Sequence, residues 1–342
     1  MRPLMTAACM ALAGVVAAAQ PASADAAADF YKGKNVSIVV GYAAGGGADL
    51  WSRFLARHLG KHLPGEPNVI VRNMPGAGGF RAVNHVYNAG PQDGTYIILP
   101  TTSAIAAPSM GVPNVRWDTF KFHWLGNLTR DVSGCVASGK SGIKSIAEAK
   151  TREIVFGADG TDDPASHVPR ALANVLGYKT KVIAGYKGTG PAFLALESGE
   201  IDARCSFWAS QALSSKKADV DSGNLVPILQ VGASKHPVFG SAPSIQDLGR
   251  NDAEKKIMRF LFGPTEISRP FAAPPGVPAD RVAVLRKAFW GAATSPELVA
   301  DAKRLNLIID PMNWQDTEAS LRAALDMPKD IIDRAKQAIG NR

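Results

Sequence analysis

Short apolar runs alternate with amphipathic segments along this chain, and glycine-rich turns join many of them. Val36–Val40 is a β-branched run typical of a buried strand, and three consecutive glycines separate it from the helical segment Asp49–His62. On that segment Trp51, Phe54 and Leu59 recur at helical spacing and are predicted to face a core. Strands and helices that alternate through short links predict a parallel sheet covered by helices.

The chain is long enough for two units of this kind. Its 342 residues exceed what one small core organises, and the alternating pattern continues through the middle of the chain without a long linker. We therefore predict an α/β protein with two lobes that are joined by crossing strands and separated by a cleft. The predicted lobe 1 comprises residues 25–125 and 266–342, and the predicted lobe 2 comprises residues 126–265.

Residues 1–24 have the pattern of a secretory signal peptide. Arg2 precedes the apolar stretch Leu4–Ala19, which is shorter than the roughly 20 residues that a bilayer span needs. The stretch ending at Ala24 has the small residues of a cleavage site. A retained membrane anchor is the alternative interpretation. With cleavage after Ala24, the mature protein is predicted to be exported to a periplasm and not to be embedded in the membrane.

Charge and cysteine content narrow the class of partner. The formal net charge is +8, but lysines and arginines are spread along the chain, whereas a nucleic-acid-binding protein is expected to have a clustered basic face. The sequence therefore predicts no nucleic-acid partner.

Cys135 and Cys205 remain after the signal peptide is removed, and they form one disulfide or stay as two buried thiols. Their spacing matches no metal site, and no cofactor is predicted.

Five loops that follow predicted strands are rich in glycine and small polar residues. They are Tyr42–Asp49, Pro75–Gly79, Thr101–Ser103, Gly157–His167 and Tyr186–Gly188. In open α/β sheets such loops gather at the carboxyl ends of the strands, where ligands bind. Backbone N–H groups, hydroxyls and one lysine are donors that suit a carboxylate. The sequence therefore predicts an anion-binding cleft, with the glycine run before the helix as a candidate cradle.

Two other patterns suggest chemistry less strongly. Gly134–Ser141 matches the phosphate-loop pattern, but the next helix is predicted to begin near Ser145, which forms a capping-box pattern with Glu148. We therefore interpret the segment as a strand and a turn. His58 and His62 have the spacing of a metal-binding pair on a helix, but no third ligand is nearby. We interpret these histidines as a solvated helix end.

The loop around His167 also contains Ser166 and two aspartates. Adjacent residues of one loop rarely have the geometry of a catalytic triad, so we do not interpret them as one.

Asp49 is predicted to cap or stabilise the positive end of its helix, with direct ligand contact as the alternative. Tyr42 belongs to the core or to the wall of a pocket. The sequence predicts a binding protein and not an enzyme.

Several longer segments resemble the extracytoplasmic substrate-binding proteins of tripartite tricarboxylate transporters, the TctC or Bug family. The segments are VSIVVGYAAGGGADLWSRFLARHL, NVIVRNMPGAGGFRAVNHVYNAGPQDGTYIILPTTSA, IVFGADG, AGYKGTGPAFLALESGEIDA and FAAPPGVPADRVAVLRKAFWGAATSPEL. The resemblance implies a two-lobed periplasmic-binding-protein-like fold of type II, in which each lobe is a mainly parallel sheet flanked by helices. It also implies a small carboxylate ligand: a di- or tricarboxylate, an acidic amino acid or an aromatic acid.

In this family main-chain groups and ordered waters from two loops hold one carboxylate. The resemblance places those loops at Tyr42–Asp49 and Gly157–His167, and it places further pocket segments at Thr101–Ser103 and Tyr186–Gly188. Ser206 stands where the family often has an aspartate. The candidate ligand-binding residues are Tyr42, Ala43, Ala44, Gly45, Gly46, Gly47, Asp49, Thr101, Thr102, Ser103, Gly160, Thr161, Asp162, His167, Tyr186, Lys187, Gly188, Ser206 and Phe207.

Two departures from the family pattern bear on the ligand. Asp162 and Asp163 would repel a carboxylate at close range, so they point away or meet an amino or hydroxyl group of the ligand. Tyr42, Phe207 and Trp208 would suit an aromatic or apolar acid.

The sequence thus predicts a solute-binding protein that captures a small carboxylate between its lobes and delivers it to the membrane subunits of a tripartite tricarboxylate transporter. Closure on the ligand would present a new surface to the transporter. The alternatives are a binding protein that serves a sensor or another uptake system, and a periplasmic hydrolase or lyase.

Overall fold

The computed structural model describes residues 21–161, 163–186, 188–232 and 234–340. Most of the predicted signal peptide lies outside these residues, as do the candidate binding residues Asp162 and Lys187. The predicted cleavage site after Ala24 falls within the first helix, Pro21–Tyr31. None of the helices in these four ranges is long and apolar enough to cross a membrane.

Two β-sheets flanked by helices form the architecture, which confirms the predicted α/β class. The strands are β1 (Asn35–Val40), β2 (Asn68–Asn73), β3 (Tyr96–Leu99), β4 (His123–Asn127), β5 (Ser133–Ser138), β6 (Ile154–Ala158), β7 (Thr180–Ala184), β8 (Ala203–Trp208), β9 (Leu225–Val231), β10 (Pro270–Ala273) and β11 (Met312–Asn313). The helices are α1 (Pro21–Tyr31), α2 (Gly47–Leu59), α3 (Phe80–Asn88), α4 (Thr102–Ala106), α5 (Pro164–Leu176), α6 (Thr189–Ser198), α7 (Ala209–Leu213), α8 (Lys217–Asp221), α9 (Asp252–Phe262), α10 (Ala279–Ala293), α11 (Pro296–Arg304), α12 (Trp314–Leu325) and α13 (Lys329–Ala338).

The first sheet has the strand order β11-β4-β10-β3-β1-β2. β1 pairs in parallel with β2 and β3, and these strands are the ones that the alternating sequence pattern predicts. β10 runs antiparallel to β3 and β4, and β11 runs antiparallel to β4. The sheet is therefore mixed, because β10 enters it from the second sheet and not through a helical crossover from a neighbouring strand.

The second sheet has the order β7-β6-β8-β5-β9. β6 pairs in parallel with β7 and β8, whereas β5 is antiparallel to both β8 and β9. Cys135 on β5 and Cys205 on β8 form a disulfide, with their Cα atoms 3.9 Å apart. Of the two alternatives that the sequence left open, the structure has the disulfide, and both residues are fully buried.

The apolar face of α2 is buried as predicted, with Trp51, Phe54 and Leu59 in the core of the first sheet. The helix begins at Gly47, two residues before the predicted start, and a 3₁₀ turn, Gly60–His62, takes the place of its predicted last turn. The predicted capping box of Ser145 and Glu148 is formed. It begins a 3₁₀ helix, Ile146–Lys150, and not an α-helix.

The chain passes from the first sheet to the second between β4 and β5, and it returns between α9 and β10. Helix α13 follows elements of the first sheet but contacts α5 and α9. Arg170 Nη1 donates to the carbonyl of Ile339 at 3.2 Å, and Asn174 Nδ2 donates to the carbonyl of Ala338 at 2.9 Å. The C-terminal helix thus links the two halves, and the predicted lobe boundaries stay a prediction.

Candidate functional site

Loops from both sheets line one cleft of about 770 Å³. The loops follow β1, β2 and β3 in the first sheet and β6, β7 and β8 in the second. These are the parallel strands of each sheet, so their carboxyl ends meet at the cleft, where open α/β sheets bind ligands. Ser268 and Arg269, just before β10, complete the lining.

Asp49 holds the glycine loop closed at the start of α2. Its carboxylate accepts the backbone N–H of Gly45 at 2.9 Å, and it also accepts Arg53 Nε and Asn73 Nδ2, each at 3.0 Å. Burial alone would raise the pKa of Asp49, but these hydrogen bonds outweigh it and lower the pKa below its ordinary value. Asp49 is not among the residues that line the cleft, so its contacts are those of a residue that shapes the loop.

The glycine loop leaves the N-terminus of α2 open toward the cleft. Gly46 is the N-cap residue and provides no side-chain acceptor for the first N–H groups of the helix. Gly45 has a φ of 86°, a conformation that residues with a side chain rarely adopt. With both Gly46 and Gly47 in the lining, free backbone donors at the positive end of a helix dipole face the cavity.

A second glycine segment lies directly against the first. A Cβ atom on Gly41 would stand 2.6 Å from the Cα of Gly79, so a side chain at Gly41 would fit only if the two loops shifted apart. Pro75–Gly79 lines the cleft beside the loop that follows β1. The close contact of the two backbones holds the turns after β1 and β2 at a fixed separation.

The Thr101–Ser103 segment contributes both to the lining of the cleft and to the N-terminal cap of α4. Thr101 Oγ1 accepts the N–H of Ala104 at 3.2 Å and lies 3.1 Å from Ser103 Oγ. Thr101 and Thr102 line the cleft, whereas Ser103 does not.

On the opposite wall, Tyr186 and Gly188 also line the cleft, and Tyr186 donates its hydroxyl to Glu200 Oε1 at 2.6 Å. That hydrogen bond turns the phenol oxygen of Tyr186 toward a residue outside the lining.

The second wall carries opposite charges next to each other. Arg204, only 2% exposed, forms an ion pair of 2.9 Å with Asp159. Asp163 caps α5 by accepting the N–H of Ala165 at 2.7 Å. Burial, and next the nearby Asp159 carboxylate, raise the pKa of Asp163 to about 6. Asp163 therefore lies in the wall of the cleft, where it caps α5 and where its surroundings disfavour the ionised carboxylate.

The side chains of β8 separate into two faces. Arg204, Ser206 and Trp208 line the cleft, whereas Phe207 is fully buried in a core cluster with Phe193. A strand sends successive side chains to opposite faces, so two consecutive residues such as Ser206 and Phe207 do not both reach the same cavity. The alternation does not continue through the whole strand, because an extra residue at the bulge puts Cys205 and Phe207 into different core clusters.

Ser206 also stands at a backbone irregularity. Its φ is 58°, and the register between β5 and β8 shifts at this point, so that β8 has one residue more than its partner. Positive φ at a serine costs free energy and is found preferentially at functional sites. The bulge re-aims the end of β8 at the cleft.

His167 lies inside α5 and does not line the cleft. Burial, together with the charge of Arg170, lowers the pKa of His167 to about 4, so the imidazole is neutral at physiological pH. Across the described ranges, no group of three or more histidine, cysteine, aspartate and glutamate residues has a geometry that could hold a metal ion. The interpretation of His58 as part of a solvated helix end is wrong, since its side chain is only 12% exposed and its Nε2 lies 3.1 Å from Asp301 Oδ2.

Arg269 is a cleft residue that sequence reasoning missed. It is 6% exposed, and its backbone N–H donates to Asn127 Oδ1 at 2.9 Å, so it is fixed at the segment where the chain returns to the first sheet. Burial lowers its pKa to about 10, which leaves it protonated at neutral pH. No local pattern marks this position, because it precedes a short strand whose neighbours come from distant parts of the sequence.

The structure thus brings most of the candidate residues together. Those that line the cleft are Tyr42, Ala43, Ala44, Gly45, Gly46, Gly47, Thr101, Thr102, Gly160, Tyr186, Gly188 and Ser206. Those that do not line it are Asp49, Ser103, Thr161, His167 and Phe207. Whether the lining residues bind a ligand stays a prediction at this point.

The sequence matches the family described as "Tripartite tricarboxylate transporter family receptor", TctC, over residues 52–336. It is 28% identical over 336 residues to a UPF0065 protein from the gbd 5' region of Cupriavidus necator, covering 95% of this chain and 94% of that one. It is 26% identical over 248 residues to protein BugT of Bordetella pertussis, covering 70% and 73% of the two chains.

Solved structures show the same fold. A TctC solute-binding protein from Polaromonas is 24% identical with a TM-score of 0.60, covering 89% of this chain and 99% of that one. A complex of an R. palustris protein with adipate is 18% identical with a TM-score of 0.68, covering 90% and 97%. MatC from Rhodopseudomonas palustris with bound malate is 19% identical with a TM-score of 0.66, covering 87% and 99%. The architecture is that of the two-lobed periplasmic binding proteins, and this chain belongs to the TctC family of tripartite tricarboxylate transporter receptors.

Proposed function

We propose that this protein is a periplasmic receptor that captures a small carboxylate in the cleft and delivers it unchanged to a membrane transporter of the tripartite tricarboxylate type. The observation that supports the proposal most directly is the glycine loop, whose uncapped helix N-terminus faces a cavity lined by both halves of the chain. Backbone N–H groups at the positive end of a helix favour an anion, and a carboxylate fits their spacing.

The dimensions of the cleft suit a small organic acid. A volume of about 770 Å³ lies within the range of roughly 300–1,000 Å³ that is usual for small-molecule sites. Two structures with the same fold are described as complexes with malate and adipate, which are both small dicarboxylates. Loops from both sheets line the cavity, so a ligand that contacts both would favour a closed arrangement over an open one.

Binding is tested by a thermal-shift screen of the mature protein against malate, adipate, glutamate, benzoate and neutral sugars. Ligand at 100 times its dissociation constant adds about 2.7 kcal/mol of stability, or about 5 °C for a chain of this size. We expect stabilisation by at least one acid and by no sugar. Recovery of the acid unchanged after incubation supports a receptor, whereas conversion of the acid would support a hydrolase or lyase.

The glycine loop is tested by Gly46→Leu, with Gly263→Leu as the matched control. A Cβ on Gly46 meets nothing closer than 3.8 Å, and a Cβ on Gly263 likewise meets nothing closer than 3.8 Å, so both backbones accept the first atom of a side chain. Only Gly46 lines the cleft. We expect Gly46→Leu to abolish the shift with the acid and Gly263→Leu to keep it. Equal shifts in both variants would contradict a role for the glycine loop.

Export and delivery are tested in the source cells. N-terminal sequencing of the mature protein is expected to find Asp25 first, because cleavage is predicted after Ala24. Uptake of the labelled acid is expected to fall when the gene is deleted and to recover when it is restored. Normal uptake without the gene would contradict delivery to a transporter while leaving ligand binding intact.

A further inference from the structure

Among the residues that the structure describes, Arg269 is a buried cation without a counter-ion in direct contact. Its Nη1 donates to the carbonyl of Ser268 at 2.6 Å, while its Nε makes no hydrogen bond at all. The other buried arginine of the cleft, Arg204, is paired with Asp159 at 2.9 Å, but Arg269 forms no ion pair with any carboxylate in the described ranges. A buried guanidinium with open donors is costly unless an anion pairs with it.

Two tryptophans hold the Arg269 side chain in place without using its donors. The guanidinium carbon lies 4.6 Å from the centre of the Trp208 ring and 5.6 Å from that of the Trp51 ring. Trp51 belongs to α2 and Trp208 to β8, so the two rings come from opposite halves of the chain. Ring faces attract a cation but accept no conventional hydrogen bond from it. The guanidinium is therefore held in place, while its Nη2 group remains available to donate to a ligand.

The carboxylate whose charge acts on Arg269, that of Asp131, is already engaged elsewhere. Asp131 accepts the hydroxyl of Ser210 at 2.6 Å and the backbone N–H of Ser210 at 3.4 Å. It acts on Arg269 by charge at longer range and forms no ion pair with it. Asp131 thus makes a buried arginine tolerable here without occupying Nη2, the guanidinium group nearest Gly47.

The open donors stand beside the glycine loop. A Cβ on Gly47 would lie 3.9 Å from Arg269 Nη2, and Gly47 is the first residue of α2. The uncapped helix N-terminus and the guanidinium therefore border the same part of the cleft. Backbone N–H groups together with a planar guanidinium form a donor set that matches the two oxygens of one carboxylate.

We propose that Arg269 pairs directly with the carboxylate of the ligand that the α2 N-terminus also binds, and that this pairing makes an ionised acid group obligatory. The inference rests on the proposed function and extends it. Carboxylate recognition by main-chain groups and waters is what the family resemblance implies, whereas this cleft adds a fixed charge. On the opposite wall Arg204 and Asp159 neutralise each other, so the described part of the cleft offers one unpaired cation for one acid group.

The first test uses the unmodified mature protein. Calorimetric titration compares malate, adipate and benzoate with malamide, adipamide and benzamide, which keep the shapes but lose the charges. Charge-assisted hydrogen bonds are worth enough that the amide of a bound acid should bind about 10- to 100-fold more weakly. Equal affinity for an acid and its amide would overturn the inference, whatever the variants show.

The second test uses Arg269→Met and Arg269→Lys, with Arg286→Met as the matched control. Arg286 also donates to a carbonyl, that of Trp124 at 2.9 Å, and also lies over a tryptophan, with its guanidinium carbon 3.6 Å from the Trp314 ring, but it does not line the cleft. We expect Arg269→Met to bind the acid about 10- to 100-fold more weakly, Arg269→Lys to recover part of the loss, and Arg286→Met to bind normally. Circular dichroism and melting without ligand establish that each variant is folded.

The outcomes separate the two proposals. If the unmodified protein binds no acid in the panel, the proposed function and this inference fall together. If it binds an acid and Arg269→Met binds it as tightly as Arg286→Met does, the receptor stands and the role of Arg269 is overturned. If Arg269→Met does not fold, Arg269→Lys decides the question: weaker binding of the acid than in Arg286→Met supports the role of Arg269, and equal binding overturns it.

Discussion

Replacing Asp163 by asparagine should stabilise the protein, and only above a defined pH. The carboxyl lies in the wall of the cleft, where burial and the charge of Asp159 raise its pKa from 3.8 to about 6. A tenfold change in proton affinity corresponds to about 1.4 kcal/mol, so holding this carboxyl ionised in the folded state costs up to about 3 kcal/mol. Asparagine keeps the helix cap and has no charge to bury.

The sign follows from the two pKa values. Below about pH 4 the carboxyl is protonated in both the folded and the unfolded chain, so Asp163→Asn should change the free energy of unfolding little. Between about pH 4 and pH 6 the unfolded chain ionises first, and the folded protein of natural sequence loses stability relative to the variant. Above about pH 6 the carboxyl is ionised in both states, and the advantage of the variant is constant.

Urea unfolding without ligand at pH 4, 5, 6 and 8 measures this profile. We expect Asp163→Asn to gain about 1–3 kcal/mol at pH 8 and only about 0.5 kcal/mol at pH 4. Asp163→Ala is the matched control, because it removes the same charge but also the hydrogen bond to the N–H of Ala165. The alanine variant should be less stable than the asparagine variant by about 1 kcal/mol at every pH. A gain for asparagine that is equal at pH 4 and pH 8, or a loss at pH 8, would refute the account of Asp163 as a buried charge.

Three further predictions follow from the packing. Replacing Cys135 and Cys205 by alanine opens a cross-link that spans 70 residues and should lower the free energy of unfolding by about 4 kcal/mol, as measured in urea; a loss below about 1 kcal/mol would contradict this. Gly41→Ala places a methyl carbon 2.6 Å from the Cα of Gly79, so it should cost about 1–3 kcal/mol in a thermal melt and also weaken acid binding; an unchanged melting temperature would mean that the two loops are not in contact. Asn174→Ala removes a 2.9 Å hydrogen bond to a carbonyl at the end of α13 and should speed hydrogen exchange in that helix but not in α10; equal exchange rates before and after the change would argue against the contact.

The local patterns of the sequence predicted the parallel half of each sheet. Strand, glycine turn and helix are decided by neighbouring residues, and β1 with α2 appeared where the β-branched run and the helical spacing of Trp51 and Phe54 placed them. The loops that line the cleft were predictable for the same reason, because the carboxyl ends of parallel strands must meet at one edge. The capping box at Ser145 was likewise readable from four residues.

The remaining features depend on partners that are distant in sequence. β10 joins the first sheet as an antiparallel strand, and β5 does the same in the second, because the chain crosses between the sheets and returns. Phe207 was predicted to suit an aromatic or apolar ligand, whereas packing in the second sheet buries its side chain fully in a core cluster with Phe193. The sequence left the state of Cys135 open, and the pairing of β5 with β8 decided it.

The amino-acid sequence by itself determined the class of fold, the glycine loop and the small, polar character of the cleft, since these depend on the conformational preferences of residues a few positions apart. Only the tertiary structure decided that Arg204 and Arg269 enter the cleft, that Asp159 neutralises the first, and that no carboxylate of the described residues pairs with the second. The reason is physical. Whether a charge is paired, buried and free to bind a ligand depends on which distant segments are brought to its side, and that is fixed when the two halves of the chain pack around the cleft.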